Sequence, residues 1–238
     1  MEIDVRRRRM PKGRQIMIWV LSVMIAIFVI GALGATYFIK RPLPKIEGEH
    51  MIKGLQNQVE VLRDEEGVPH IKASNSQDLF FAQGYIQAQD RMFQMDLSRR
   101  QASGRLSEVI GESTLTNDKY FRTLGLRRAA EDSYEAYSVE AKEILESFAR
   151  GVNAYINERK DNGKWPIEFT FLGYEPEEWT PIDSLTIGKY MAFDLGGNWN
   201  NQAFRYYLLQ NFPKEKAYEL FPSYPEGGPV NLKKDELD

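Results

Sequence analysis

The chain has 238 residues, no cysteine, two histidines and a formal net charge of -3. The lack of cysteine excludes disulfides, thiolate nucleophiles and Cys-type zinc sites, and suits an exported bacterial protein that holds together without bridges. The near-neutral balance excludes the basic field that nucleic acid requires, while 42% hydrophobic and 12% aromatic residues supply a core for one domain or somewhat more.

Residues 1–14 are basic, with Arg6 to Arg9, Lys12 and Arg14, and they precede an uncharged run from Gln15 to Ile39. A membrane-spanning helix needs roughly 20 apolar residues, which residues 15–39 supply. More positive charge lies before the run than in Lys40, Arg41 and Lys45 after it, so the N-terminus stays cytoplasmic and the rest is exported. Two outcomes are open. The run is an uncleaved anchor with the body outside the cell membrane, or a signal peptide cleaved near Ala32-Leu33-Gly34-Ala35 that leaves a secreted protein. Its length favours the anchor.

Pro42 and Pro44 open a linker over 40–58. Val59 to Leu62 and Val68 to Lys72 read as two strands of a hairpin, turned at Asp64-Glu65-Glu66-Gly67. Ser74 to Asp78 then offers N-cap residues and an acid for a first helical turn.

The helix that follows, from about Gln77 to Ala102, is apolar over most of its girth. At 100° per residue, Phe81, Tyr85, Ala88, Met92 and Met95 fall on one side of a broad arc, and Leu79, Ala82, Ile86, Phe93 and Leu97 on the other. Only Gln83, Gln87, Asp90, Arg91, Gln94 and Ser98 are left for water, so the helix is sandwiched between other elements. Asp96, Arg99 and Arg100 nevertheless lie within the apolar girth. Their spacings, three and four, allow them to pair with each other.

Ser138 caps a further helix to about Arg159, with apolar residues at helical spacing from Ala141 to Ile156 and an end at Gly163 and Pro166. Thr180-Pro181-Ile182-Asp183 is a helix start, with Thr180 as N-cap, Pro181 in the first position and Asp183 near the positive end. That helix should stop at Gly196-Gly197. Asn200 then caps a helix to about Asn211, and Pro213 opens another to about Leu220. The tail, 225–238, is loop-like. Its Lys234-Asp235-Glu236-Leu237 is followed by Asp238, so it lacks the free Leu carboxylate of a retention signal.

Residue chemistry alone yields no catalytic constellation. His50 and His70 belong to no ligand cluster, and Asp90, Asp96 and Glu108 read as structural ion-pair partners. There is no phosphate-binding Gly loop, nucleophile elbow or EF-hand loop.

Several motifs in order do carry a resemblance. RDEEGVPHI (63–71), DLFFAQGYIQAQDRMFQMDLSRRQASGRLSEVIG (78–111), GVNAYI (151–156), PIEFTFLGYEPEEWTPIDSLTIGKYMAFDLGGNW (166–199) and FRYYLL (204–209) resemble the amino-terminal half of penicillin acylase (penicillin amidase) family proteins. The resemblance runs over 59–224. It implies an α+β fold of the N-terminal-nucleophile hydrolase type, αββα in layers. This chain would supply a mostly helical α-chain part plus the hairpin, preceded by one transmembrane helix.

The resemblance further implies a precursor that cuts itself into α and β chains. The new N-terminal Ser of the β chain attacks an amide carbonyl with its own α-amine as base. No Ser here precedes an Asn-Asn-Trp type run, so no catalytic residue is assigned to this chain and the isolated polypeptide is expected to be inactive. The implied partners are the β chain, the membrane and an N-acylated small molecule such as a penicillin or an acyl-homoserine lactone. The other reading is a catalytically inert, membrane-anchored binding or scaffold protein built from the same half.

Carried over position by position, the resemblance puts Met191, Asp194 and Leu195 at the acyl-group pocket. The family's calcium-binding glutamate falls at Asn201 or Gln202. Both are amides, so a structural calcium here is expected to be weak or absent. The long polar helix would cross beneath the active-site fold, with Asp96, Arg99 and Arg100 holding the two chains in register.

Overall fold

The uncharged N-terminal run forms a single helix, α1, over Lys12–Lys40, long and apolar enough to cross a membrane and with no buried residue. The structure is a computed structural model that describes residues 11–44, 46–221 and 228. Arg6 to Arg9, Lys45, the Pro/Gly tail apart from Gly228, and the Lys234 to Leu237 segment lie outside the described residues. The chain divides into two compact units, Met1–Lys189 and Tyr190–Asp238.

In the first unit the expected hairpin is present, one residue shifted from the sequence reading. Strands β1 (Glu60–Arg63) and β2 (Pro69–Lys72) pair antiparallel, Val61 against Ile71 and Leu62 against His70. The Asp64 carboxylate accepts the backbone N–H of Val68 at 2.8 Å and closes the turn.

Helix α2 spans Ser76–Ser103. Among the offered N-cap residues, Asn75 takes the role, its side-chain oxygen accepting the N–H of Asp78 at 2.7 Å. The helix is not straight. Arg91 leaves helical geometry at φ -142°, ψ 24°, and kinks it. The water-facing strip follows its periodicity at Gln83, Gln87, Asp90, Arg91 and Gln94, which are exposed, while Ser98, expected in the same strip, is half-buried.

A run between residues 107 and 136, for which the apolar pattern offers no element, is helical. It comprises α3 (Ser107–Ile110), a short 3-10 turn at Glu112–Thr114, α4 (Leu115–Leu124) and α5 (Leu126–Ala136). Helix α6, Val139–Asn162, begins at its Ser138 cap and ends at Gly163. A short helix α7, Ile167–Leu172, follows, and then α8, Pro181–Leu195, whose last turns fall in the second unit.

The core of the first unit is the crossing of α2 and α6. Tyr85, Ala88, Met92 and Met95 interlock with Ala149, Val152, Tyr155 and Ile156, and Phe169 and Trp179 close the cluster. Two glycines set the crossing distance. A Cβ on Gly84 would collide with the backbone carbonyl of Phe148, and one on Gly151 with that of Phe81. The helices therefore touch backbone to backbone, and neither position has space for a methyl group.

The second unit contains α9 (Trp199–Asn211) and α10 (Lys214–Glu219). Helix α9 starts one residue before the expected Asn200 cap and has no side-chain cap. Leu208 on α9 and Ala217 on α10 are the buried apolar residues described in this unit, with Phe204 against Phe221 at 5.8 Å between ring centroids.

Candidate functional site

Three sets of residues carry the polar chemistry and the exposed apolar surface. The first is the buried cluster on α2. Asp96 is 0% exposed and Arg99 and Arg100 are each 4% exposed. Asp96 Oδ1 accepts Arg99 Nε at 2.9 Å and Arg99 Nη2 at 2.6 Å, while Oδ2 accepts Arg100 Nε at 2.9 Å and the Tyr174 hydroxyl at 2.9 Å. The remaining guanidinium hydrogens leave the helix. Arg99 donates to the backbone carbonyls of Glu177 (2.8 Å) and Glu178 (2.9 Å) and approaches Asp183 Oδ2 at 3.4 Å. Arg100 donates to Glu108 at 2.8 Å.

Aromatic faces complete the enclosure. Arg99 lies 5.1 Å from the Trp179 ring centroid and Arg100 5.3 Å from that of Tyr174. The cluster ties α2 to the 174–183 segment and to α3, and its charges are matched by hydrogen bonds, as burial demands.

Electrostatics around the cluster follow from this geometry. Burial pushes the Tyr174 hydroxyl well up, and the neighbouring Asp96 carboxylate adds to it. The Arg105 guanidinium bonds both Glu108 and Glu177 and holds both carboxyls below their ordinary range. Asp183 is shared between Arg127 at 2.8 Å and the Thr180 N–H at 2.8 Å, so an acid in the first turn of α8 also meets a charge from α5. These groups are engaged with one another.

Two further buried carboxylates are organisers. Asp78 accepts the backbone N–H groups of Gln56 and Asn57 at 2.8 and 3.0 Å, together with the side-chain amides of Asn57 and Asn75. Asp118, on α4, accepts the N–H groups of Leu106 and Ser107 at 2.9 and 2.7 Å and so caps α3 from outside its own sequence. Burial pushes both carboxyls up, but these hydrogen bonds outweigh it and the net displacement is downward.

The second set is the histidines. His70 Nε2 sits 2.9 Å from Asp64 Oδ2 across the hairpin turn, and this bond is the main reason the Asp64 carboxyl is lowered. His50 lines an open groove of ≈ 1030 Å³ bounded by the linker, the hairpin and α2, with Arg63, Phe81, Tyr85, Ile86 and Gln89. Arg63 there is held by Asp90 at 2.8 Å. Neither histidine stands beside a hydroxyl or a second acid in an arrangement suited to acyl transfer.

The third set lies at the end of α8 and on α9, in the second unit. Met191, Asp194 and Leu195, at i, i+3 and i+4, share a helix face. All are exposed, Met191 by 58% and Leu195 by 80%, so they are not core in this chain. Trp199, Phe204, Tyr206 and Tyr207 on α9 are exposed by half or more, giving the unit a broad solvent-open aromatic surface.

Asn201 and Gln202 are exposed on the first turn of α9. They offer two neutral amide oxygens, and among the described residues no group of three His, Cys, Asp or Glu comes together to hold a metal ion. Two neutral amide oxygens fall short of the six to eight oxygens and formal negative charge that calcium asks for.

The family model described as Penicillin amidase matches residues 58–229. Acyl-homoserine lactone acylase QuiP of Pseudomonas aeruginosa is 37% identical over 82% of this chain and 23% of that relative. Penicillin acylase 2 proenzyme of Pseudomonas sp. SE83 is 40% identical over 66% of this chain and 20% of its own length. Among solved structures, a thermostable penicillin G acylase from Alcaligenes faecalis aligns with a TM-score of 0.62 and 28% identity, over 74% of this chain and 97% of that one. The chain thus spans about a fifth to a quarter of the two curated relatives, 20% and 23%, and nearly all of one chain of a solved acylase. With more than half of its residues matched, the chain belongs to the penicillin amidase family, a family of amidohydrolases.

Proposed function

We propose that this polypeptide is the α-chain portion of an exported acylase that hydrolyses the amide bond of N-acylated small molecules, a class that includes penicillins and acyl-homoserine lactones. One observation carries the reading. The positions that the family resemblance assigns to the acyl pocket, Met191, Asp194 and Leu195, lie on a face open to solvent, apolar at Met191 and Leu195 and charged at Asp194, and the same unit also exposes the aromatic residues of α9. An acyl chain needs an apolar wall that excludes water, and one open face is half of such a wall.

The other half and the nucleophile belong to a β chain. There an N-terminal Ser, with its own α-amine as base, forms the acyl-enzyme and expels the amine. Water then releases the carboxylic acid. The contribution of this chain is positioning. The Asp96 cluster holds the 174–183 segment against α2, and that segment leads directly into α8.

Helix α1 supports a membrane anchor with the body on the outer face, the alternative being a cleaved leader. No step of the proposed reaction requires calcium bound to this chain. The test is co-expression of this chain with the β-chain coding segment, followed by assay of an acyl-chain-length panel for release of acid and amine in equal amounts. Activity is expected from the pair and none from this chain alone. Hydrolysis by the purified single chain would refute the assignment, and an inactive pair that still associates would favour an inert scaffold.

A further inference from the structure

The short helix α7 stands out because it is apolar on both sides. Phe169 points inward, 1% exposed, and packs its ring against Phe93 (5.3 Å), Trp165 (5.8 Å) and Tyr174 (5.1 Å). On the other side Phe171 is 75% exposed and Leu172 is also exposed. Together these two side chains form a small exposed apolar tip at the end of α7.

Its location gives the reason. The Phe171 ring meets the Phe38 ring of α1 edge-on, centroids 6.2 Å apart. Beside it, Arg41 Nη2 reaches the carbonyl of Gly163 at 3.5 Å, where α6 ends. Phe38 is in the last turn of α1, which ends at Lys40. The uncharged run from Gln15 to Ile39 is about 37 Å long at 1.5 Å per residue, against a hydrocarbon core of about 30 Å. A span that fills the core therefore brings Phe38 to its outer boundary, and Phe171 with it.

We propose that α7 is a second, interfacial membrane contact, in which Phe171 and Leu172 enter the outer-leaflet headgroup region beside the exit of α1. The proposal rests on the reading of α1 as an uncleaved span. The occupant it commits to is a phospholipid surface. Arg41, Lys160 and Lys164 lie around the end of α6, where ammonium and guanidinium groups can meet lipid phosphates. Asp161 and Glu168 share the region, so the apolar tip rather than a net basic field selects the membrane. The contact would fix the tilt of the first unit over the bilayer.

The chain has no cysteine, so single labelling sites are unambiguous. Phe171→Cys, Ile30→Cys in mid-span and Val139→Cys, at the far end of α6 about 36 Å from Gly163 by helical rise, each carry an environment-sensitive fluorophore. The full chain is reconstituted into phosphatidylethanolamine/phosphatidylglycerol vesicles holding nitroxide lipids labelled at shallow or deep positions. The expected result is a blue-shifted probe at residue 171 quenched by shallow nitroxides, a probe at residue 30 quenched by deep ones, and an unquenched aqueous probe at residue 139. Quenching at residue 30 without quenching at residue 171 overturns the α7 contact while the span stands. Quenching at neither overturns both. A blue shift at residue 171 without nitroxide quenching assigns the tip to a protein partner and also overturns the proposal.

Discussion

Asp96 and Arg99 lie one turn apart on α2, and a single carboxylate oxygen, Oδ1, accepts both Nε and Nη2 of the arginine at 2.9 and 2.6 Å. The second oxygen serves Arg100 and Tyr174, so one buried carboxylate neutralises two buried cations. Removing the acid leaves two guanidinium groups in a nearly dry site. Asp96→Ala is therefore expected to cost about 3–5 kcal/mol of stability, read as a lower urea midpoint at unchanged slope. In a two-chain enzyme it should lower the yield of mature protein more than it raises KM. Normal yield with a raised KM would instead place Asp96 in substrate binding.

Tyr174→Phe removes one hydrogen bond to the same carboxylate and leaves both arginines in place. The expected loss is about 1.5–3 kcal/mol, the range for a hydrogen bond to a charged group, and smaller than for Asp96→Ala. Equal losses for the two variants would mean that the hydroxyl, not the ion pairs, organises the cluster.

At the crossing of α2 and α6, Gly151→Ala puts a methyl group into the carbonyl of Phe81, and Gly84→Ala does the same against Phe148. Each should destabilise by about 1–3 kcal/mol or more, the ordinary cost of overpacking. Gly188→Ala on α8, where a Cβ meets nothing within 4 Å, is the control and should be neutral or slightly stabilising. A tolerated Gly151→Ala would show that the helices can part without cost.

Much of this architecture is legible in the residues. The Ser138 cap, the Thr180-Pro181 start and the girth of α2 all declare themselves locally, because caps and periodicity act over one to four positions. The partners of Asp96, Arg99 and Arg100 do not. Tyr174, Glu177 and Asp183 stand about eighty positions further along, and spacing within α2 reveals only that the three residues can meet one another. Helices α3 to α5 escape detection for a related reason. Phe121 and Ala130 are their buried apolar side chains, so their apolar stripe is sparse, and α3 is capped by Asp118 from a different helix. The outward face at Met191 and Leu195 carries the same residue types as a core, and only its exposure distinguishes the two.

Acid should weaken the fold through its organising carboxylates. Asp78, Asp118, Glu108 and Glu177 all have folded-state values below their ordinary 3.8 (Asp) or 4.5 (Glu). Between the folded and ordinary values the unfolded chain binds more protons, so stability rises with pH there. Their contribution is complete above the ordinary values and is lost as pH falls through the lower folded ones. A urea midpoint followed from pH 6 down to pH 2.5, roughly spanning that window, should drop most steeply below pH 4, and Asp118→Asn should flatten the slope. A midpoint that rises on acidification would contradict the assignment.

The central claim is that the reacting hydroxyl lies outside these residues and that this chain supplies pocket wall and frame. The most direct measurement is mass spectrometry of the co-expressed two-chain enzyme after treatment with a serine-directed sulfonyl fluoride, with residual amide hydrolysis followed in parallel. The account predicts one label on the N-terminal Ser of the β chain, loss of activity in proportion to labelling, and an unlabelled α chain. A stoichiometric label on any Ser of this chain that abolishes activity would contradict it.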